Sequence, residues 1–123
     1  MKKYVFALIK NKEKILMLKR PKDKKVYGGY WNFPGGKIEE TETEIQCVIR
    51  EVKEETGMDF KPSVKIMDIV DMNIEPKKVV VFDGNANGSV KLSEEHGEYG
   101  WFTVKEIKNF LVLPYIKKLF EEA

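Results

Sequence analysis

The sequence is poor in the residues that build cross-links and soft-metal sites: among 123 residues there is one cysteine and one histidine. A single cysteine cannot close an internal disulfide, so a stapled secreted scaffold is excluded and a reducing compartment is expected. Long apolar runs are also missing. Segments such as Val79 to Phe82 are strand-sized, well below the ~20 residues that span a bilayer. The N-terminus, two lysines followed at once by Tyr4-Val5-Phe6, has no apolar leader core and no small-residue cleavage site. There is no internal repeat, no low-complexity tract and no Gly/Ser linker. With 42% apolar and 11% aromatic residues the chain has enough material for a core. These features predict one cytoplasmic domain over residues 1–123, without a membrane partner.

Charge is abundant but unevenly placed. The net charge is only +2, yet residues 1–38 carry +9 and residues 39–59 carry −6. A basic segment running into an acidic one suits a site with phosphate on one side and a metal on the other, although solvated surface is the favoured reading for most of the N-terminal lysines. The lysines have no interleaved aromatics of the kind that bind nucleic acid, so none is expected as a partner.

Local patterns predict a strand over Tyr4–Lys10, a turn at Asn11–Lys14 and a partner strand over Ile15–Lys19. Pro21–Gly29 reads as a lysine-rich loop, and Pro34-Gly35-Gly36 as a place where the backbone bends or is closely approached. The clearest helix starts at Thr43, whose capping box is completed by Gln46, and ends at Gly57. Its core stripe is predicted as Ile45, Val48, Ile49 and Val52. Strands are expected at Val64–Met72, Val79–Asp83, Val90–Leu92 and Tyr99–Thr103, with a turn at Asn85–Gly88. Thr103 and Glu106 repeat the capping-box spacing before a short helix, and a last helix follows Pro114, from Tyr115 to about Glu122. The mixture indicates an α/β domain.

At about 100° per residue, Glu51, Glu54 and Glu55 share one face of the main helix. Like charges at i, i+3 and i+4 destabilise a helix, and carboxylates near its C-terminal end oppose the macrodipole. Either that face is fully solvated or it holds a cation, and spacing alone leaves the two equal. Oxygen donors without a neighbouring histidine favour Mg²⁺ or Mn²⁺ over zinc.

From Gly36 the chain reads Gly36-x5-Glu42-x7-Arg50-Glu51-Val52-x-Glu54-Glu55-x-Gly57-Met58. This resembles the Nudix box, G-x5-E-x7-R-E-U-x-E-E-x-G-U with U a bulky aliphatic residue, with every fixed position filled over residues 36–58. The lead-in Trp31-Asn32-Phe33-Pro34-Gly35-Gly36-Lys37 and the Glu95…Trp101-Phe102 tail look like the MutT-type branch of that family. The resemblance implies the Nudix fold, a mixed β-sheet sandwiched between helices (α/β/α), and hydrolysis of a diphosphate bond in a nucleoside diphosphate derivative.

By the same resemblance Glu51, Glu54 and Glu55 are metal ligands, joined by the Gly35 carbonyl and by Glu95 from a distant loop, with Glu98 in reserve. Glu51 is the chosen general base. Arg50 either orients Glu51 or only bridges to Glu42. Glu94 reads as solvated, His96 as a loop cap and Cys47 as packing. Arg20, Lys37 and Gly36 are expected at the phosphates, and the Asn32 amide at a base edge. Leu113-Pro114-Tyr115-Ile116, where oxidised-purine enzymes carry further acidic or amide groups, has none. The expected activity is that of a MutT-like nucleoside triphosphate pyrophosphohydrolase. The alternatives are an ADP-ribose or nucleotide-sugar pyrophosphatase and, in another class, a non-catalytic nucleotide sensor. A small nucleotide is the expected partner, and the chain a monomer or homodimer.

Overall fold

Between Tyr4 and Ile9 the chain is apolar at every position, which suits a strand covered on both faces. The computed structural model, which describes residues 1–94 and 96–121, places this segment at the centre of a seven-stranded mixed sheet. Its strand, β1 (Lys2–Asn11), is followed by β2 (Lys14–Lys19), β3 (Trp31–Asn32) and β4 (Gly35–Lys37). Then come α1 (Glu44–Thr56), β5 (Asp59–Asp71), β6 (Lys77–Asn87), β7 (Glu98–Phe102), α2 (Val104–Ile107) and α3 (Pro114–Glu121). β1 pairs in parallel with β6 and antiparallel with β4 and, at its far end, β2. β5 completes one side of the sheet against β6, while β3 and β7 flank β2.

Alternation along β1 sorts the core into two layers. Val5, Ala7 and Ile9 face α1 and pack with Cys47, Val48, Val52 and Phe60. Phe6 and Leu8 face the opposite way, toward Phe33, Ile107, Tyr115, Ile116 and Phe120. The sheet is thus sandwiched between α1 and the α2–α3 pair. Among the described residues no helix is long and apolar enough to cross a membrane.

Both capping boxes form. The Thr43 hydroxyl accepts from the Gln46 N–H at 3.1 Å and the Gln46 side chain accepts from the Thr43 N–H at 3.0 Å. Thr103 and Glu106 repeat the arrangement at the start of α2. Gly57 ends α1 in the left-handed region, at φ 75°.

Three local expectations are corrected. The buried face of α1 runs through Cys47, Val48, Val52, Glu55 and Thr56, whereas Ile45 and Ile49 are exposed at 49% and 39%. The helix is rotated toward its glutamates because Cys47 is small enough to sit flush against the sheet. Asn85–Gly88 is not a turn, since β6 continues to Asn87. Pairing with the first residues of β5 (Asp59↔Asn87, Phe60↔Ala86) overrides the local turn chemistry. Val90–Leu92 is not a strand, because the Lys91 and Ser93 N–H groups bond to the Thr56 and Glu55 carbonyls at 2.8 and 3.0 Å. That segment instead caps the C-terminal end of α1.

The rotated face has a direct consequence for stability. Val52→Ala should cost about 2 kcal/mol in denaturant unfolding, while Ile49→Ser should stay within about 0.5 kcal/mol of wild type. Equal costs would mean that the stripe read from the sequence faces the core after all.

Candidate active site

The acidic helix meets the sheet at β4. Antiparallel pairing sets Gly35 opposite Phe6 and Gly36 opposite Val5, directly beneath α1. The Glu51 carboxylate rests on Gly36. A Cβ at that position would lie 2.5 Å from its Cδ and 2.6 and 2.8 Å from its two oxygens, so no other residue fits without displacing it. One turn on, the buried Glu55 accepts the Gly35 N–H through Oε1 at 2.6 Å. His96 Nε2 lies 3.5 Å from Glu55 Oε2, both side chains being over nine-tenths buried.

Arg50 binds the remaining carboxylates together. Its Nε and Nη2 donate to the two oxygens of Glu42 at 2.5 and 2.9 Å, a bidentate pair. Nη1 donates to Glu51 Oε1 at 2.8 Å and to Glu54 Oε2 at 3.1 Å, and Nη2 reaches the Lys37 carbonyl at 3.3 Å. The two roles left open for Arg50, bridging to Glu42 and contacting Glu51, are therefore both present in its geometry. The Arg50 bonds, with the Glu39 N–H second, hold the Glu42 carboxyl down at about 2. Burial, then the Glu42 charge, pushes the Cys47 thiol up to about 12, so it is protonated near neutrality. Cys47 packs in the core, as expected.

A cavity of about 560 Å³ opens from this edge. Glu51, Glu55, Gly35, Gly36 and His96 line one part; Arg20, Lys24 and Lys37 bring positive charge; Tyr4, Phe6, Val79 and Tyr115 bring aromatic and apolar surface. Asn32 also lines it, buried to 7% exposure. Its Oδ1 accepts from the Phe33 N–H at 2.9 Å and from the Tyr115 hydroxyl. A backbone N–H can only donate, so Oδ1 must face Phe33 and Nδ2 must face away. Arg20 is partly engaged in shaping the loop, its Nε donating to the Val26 carbonyl at 3.1 Å.

A model of the NUDIX domain matches residues 2–122 of this sequence. The chain belongs to the Nudix family. It is similar to the MutT protein of Methanosarcina mazei Go1, at 33% identity and a TM-score of 0.87, covering 98% of this chain and 91% of that one. It is also similar to nucleoside triphosphatase NudI of Klebsiella pneumoniae (strain 342), at 28% identity over 119 residues, covering 86% of this chain and 84% of the relative. The mRNA-decapping enzyme subunit 2 of Saccharomyces cerevisiae (strain YJM789) is 34% identical over 92 residues. That match takes in 71% of this chain but spans only 10% of the relative's length. The architecture, a mixed sheet between helices, is the Nudix fold expected from the box.

The family's metal is tested here by the donor set. Among the described residues no three potential ligands surround one point. Glu51 and Glu54 nevertheless converge on a single cationic atom, Arg50 Nη1, and the absence of a side chain at Gly36 lets the Glu51 carboxylate lie on the β4 backbone. Carboxylate oxygens are the donor type that hard divalent cations take. Glu54 is the outermost of the three, 58% exposed in its side chain and outside the cavity lining.

On the far loop, Glu95 lies outside the described residues. Glu98 pairs with Lys19 at 3.4 Å and does not line the cavity, and Glu94 is exposed. His96 and Tyr115 carried no sequence signal for the contacts they make, because both depend on long-range packing. The stretch 113–116 does lack acid and amide groups, but the Tyr115 hydroxyl reaches Asn32 from it.

Acid stability tests the Arg50–Glu42 pair. A carboxyl held below its ordinary 4.5 contributes stability that is complete above that value and lost as pH falls toward about 2. Wild type should therefore lose Tm progressively over this window, and Glu42→Gln should have a lower Tm at pH 7 and a flatter profile below pH 4.5. Parallel profiles for the two proteins would remove Glu42 from the linkage.

Proposed function

We propose that this Nudix-family protein is a nucleoside triphosphate pyrophosphohydrolase, releasing a nucleoside monophosphate and pyrophosphate with Mg²⁺ or Mn²⁺. The observation that carries this reading is one cavity, of about 560 Å³, whose lining combines Glu51 and Glu55, the basic side chains of Arg20, Lys24, Lys37 and Lys77, and the rings of Tyr4, Phe6 and Tyr115. That volume falls within the usual range for a small-molecule site. That mixed lining suits a ligand that combines a charged polyphosphate with a flat, partly apolar base. The similarity to a nucleoside triphosphatase over most of both chains supports the same class.

The chain's own groups divide the work. Arg20, Lys24 and Lys37 offset phosphate charge at the cavity wall. Glu51, fixed between Arg50 and Gly36, accepts the proton of the attacking water as its oxygen bonds to phosphorus. The bridging P–O bond breaks and the pyrophosphate leaves with its electron pair. Arg50 holds Glu51 in place for this, and Glu42 in turn holds Arg50. Asn32, its Oδ1 already engaged, offers Nδ2–H to an acceptor on the base edge. Glu51, Glu54 and Glu55, with the Gly35 carbonyl and Glu95, would hold the divalent ion. When bound, it neutralises phosphate charge and lowers the pKa of water.

A phosphate-release assay over nucleoside triphosphates, ADP-ribose and nucleotide sugars tests the proposal. Activity should require Mg²⁺ or Mn²⁺ and be greatest for a nucleoside triphosphate. Glu54→Gln should lower kcat at least a hundredfold and Glu95→Gln at least tenfold, with Tm within a few degrees of wild type, whereas Glu94→Gln should be near neutral. Turnover in excess chelator, or a preference for ADP-ribose or a nucleotide sugar, would refute it.

A further inference from the structure

Among the described residues three non-glycine positions adopt left-handed backbone: Lys12 at φ 58°, Tyr27 at 54° and Ile74 at 66°. Lys12 lies in the tight turn between β1 and β2, where that conformation closes the hairpin. Tyr27 and Ile74 have a different setting, for both line the cavity just described. The left-handed region is especially unfavourable for a β-branched side chain, whereas asparagine and glycine enter it readily. Ile74 is also 69% exposed, so packing within the chain offsets little of that cost.

The hairpin tip is nonetheless firmly built. Asp71 Oδ1 accepts from the Asn73 N–H at 2.8 Å and from Asn73 Nδ2 at 2.7 Å. Lys77 Nζ donates to the Asn73 and Glu75 carbonyls at 3.0 and 3.4 Å. These bonds impose the turn and hold the Ile74 side chain at the cavity rim. The loop carrying Tyr27 reaches the same mouth, since the Tyr27 hydroxyl feels the Asp71 charge in addition to its own desolvation. Isoleucine at 74 suits neither the backbone nor the solvent. A residue disfavoured on both counts, at the rim of a substrate cavity, is explained by a contact made only with the ligand.

We propose that Ile74 is the apolar cover of the substrate's base, presented by the strained β5–β6 hairpin tip in the cavity that Tyr27 also lines, so that the site selects nucleotides over bare polyphosphates. This rests on the nucleotide reading above. The hairpin supplies the specificity and takes no part in the chemistry at Glu51, which is carried by α1.

The test compares wild type with Ile74→Asn, which accepts the backbone but removes the cover, and Ile74→Met, which keeps an apolar cover. Steady-state kinetics with the best nucleoside triphosphate, competition by inorganic tripolyphosphate and Tm are measured together. For Ile74→Asn, Tm should rise by about 2–6 °C as strain is relieved. Its KM should rise about five- to tenfold with kcat within about twofold of wild type, the pattern of lost binding without lost chemistry. The inhibition constant of tripolyphosphate should not change, and Ile74→Met should keep KM near wild type. An unchanged KM in Ile74→Asn overturns the inference, as does a fall in Tm, which would show that the hairpin needs isoleucine for its own packing. A wild type that hydrolyses no nucleoside triphosphate removes the nucleotide reading and this inference with it, and that result is visible before any variant is made.

Discussion

Everything at the acidic edge depends on how closely the Gly35–Gly36 backbone approaches α1. Glu51 lies on the bare Cα of Gly36 and Glu55 takes the Gly35 N–H, so strand and helix are joined through carboxylates rather than through apolar side chains. The approach is set from below. Cys47, Val48 and Val52 dock on Val5 and Ala7 of β1, and β4 is paired to that same strand. Burial of the apolar layer thus fixes the height at which the glutamates meet the glycines, and a well-packed core resists changes in that height.

Three glutamates on one helix face, two of them near its C-terminal end, are unfavourable on their own. Arg50 relieves this by contacting Glu42, Glu51 and Glu54 at once, with Glu42 bound in a bidentate fork. A planar guanidinium can do this where an ammonium could not. Glu51 and Glu54 already point at a shared positive atom, and a divalent cation offers them a stronger one.

The box was readable because its chemistry sits at fixed intervals on one short helix and the loop before it. Its capping pair, Thr43 and Gln46, and its terminating Gly57 appear in the structure as spacing implied. Features that depend on distant partners were not readable. Ile45 and Ile49 complete a convincing stripe, yet the helix turns Cys47 inward because a small side chain lets it sit closer to β1. Asn85–Gly88 has turn-forming residues, but β5 supplies a ladder for it. Val90–Leu92 has strand-forming residues, but the free carbonyls at the end of α1 take its N–H groups. The Tyr115–Asn32 and His96–Glu55 contacts link positions 83 and 41 residues apart. Local pattern holds no trace of either.

The central claim is that the Gly35–Lys37 strand and the Glu51–Glu55 turn of α1 form one cation site. Its most direct measurement is a Mn²⁺ titration of the isotope-labelled protein, following paramagnetic broadening of backbone amide signals. The account predicts that the amides of Gly35, Gly36, Glu51, Glu54 and Glu55 broaden first and together, that Mg²⁺ competes the effect away, and that Glu51→Gln weakens it. Broadening centred on the Asp68–Asp71 or Glu98 region, or spread evenly over all exposed carboxylates, would contradict it.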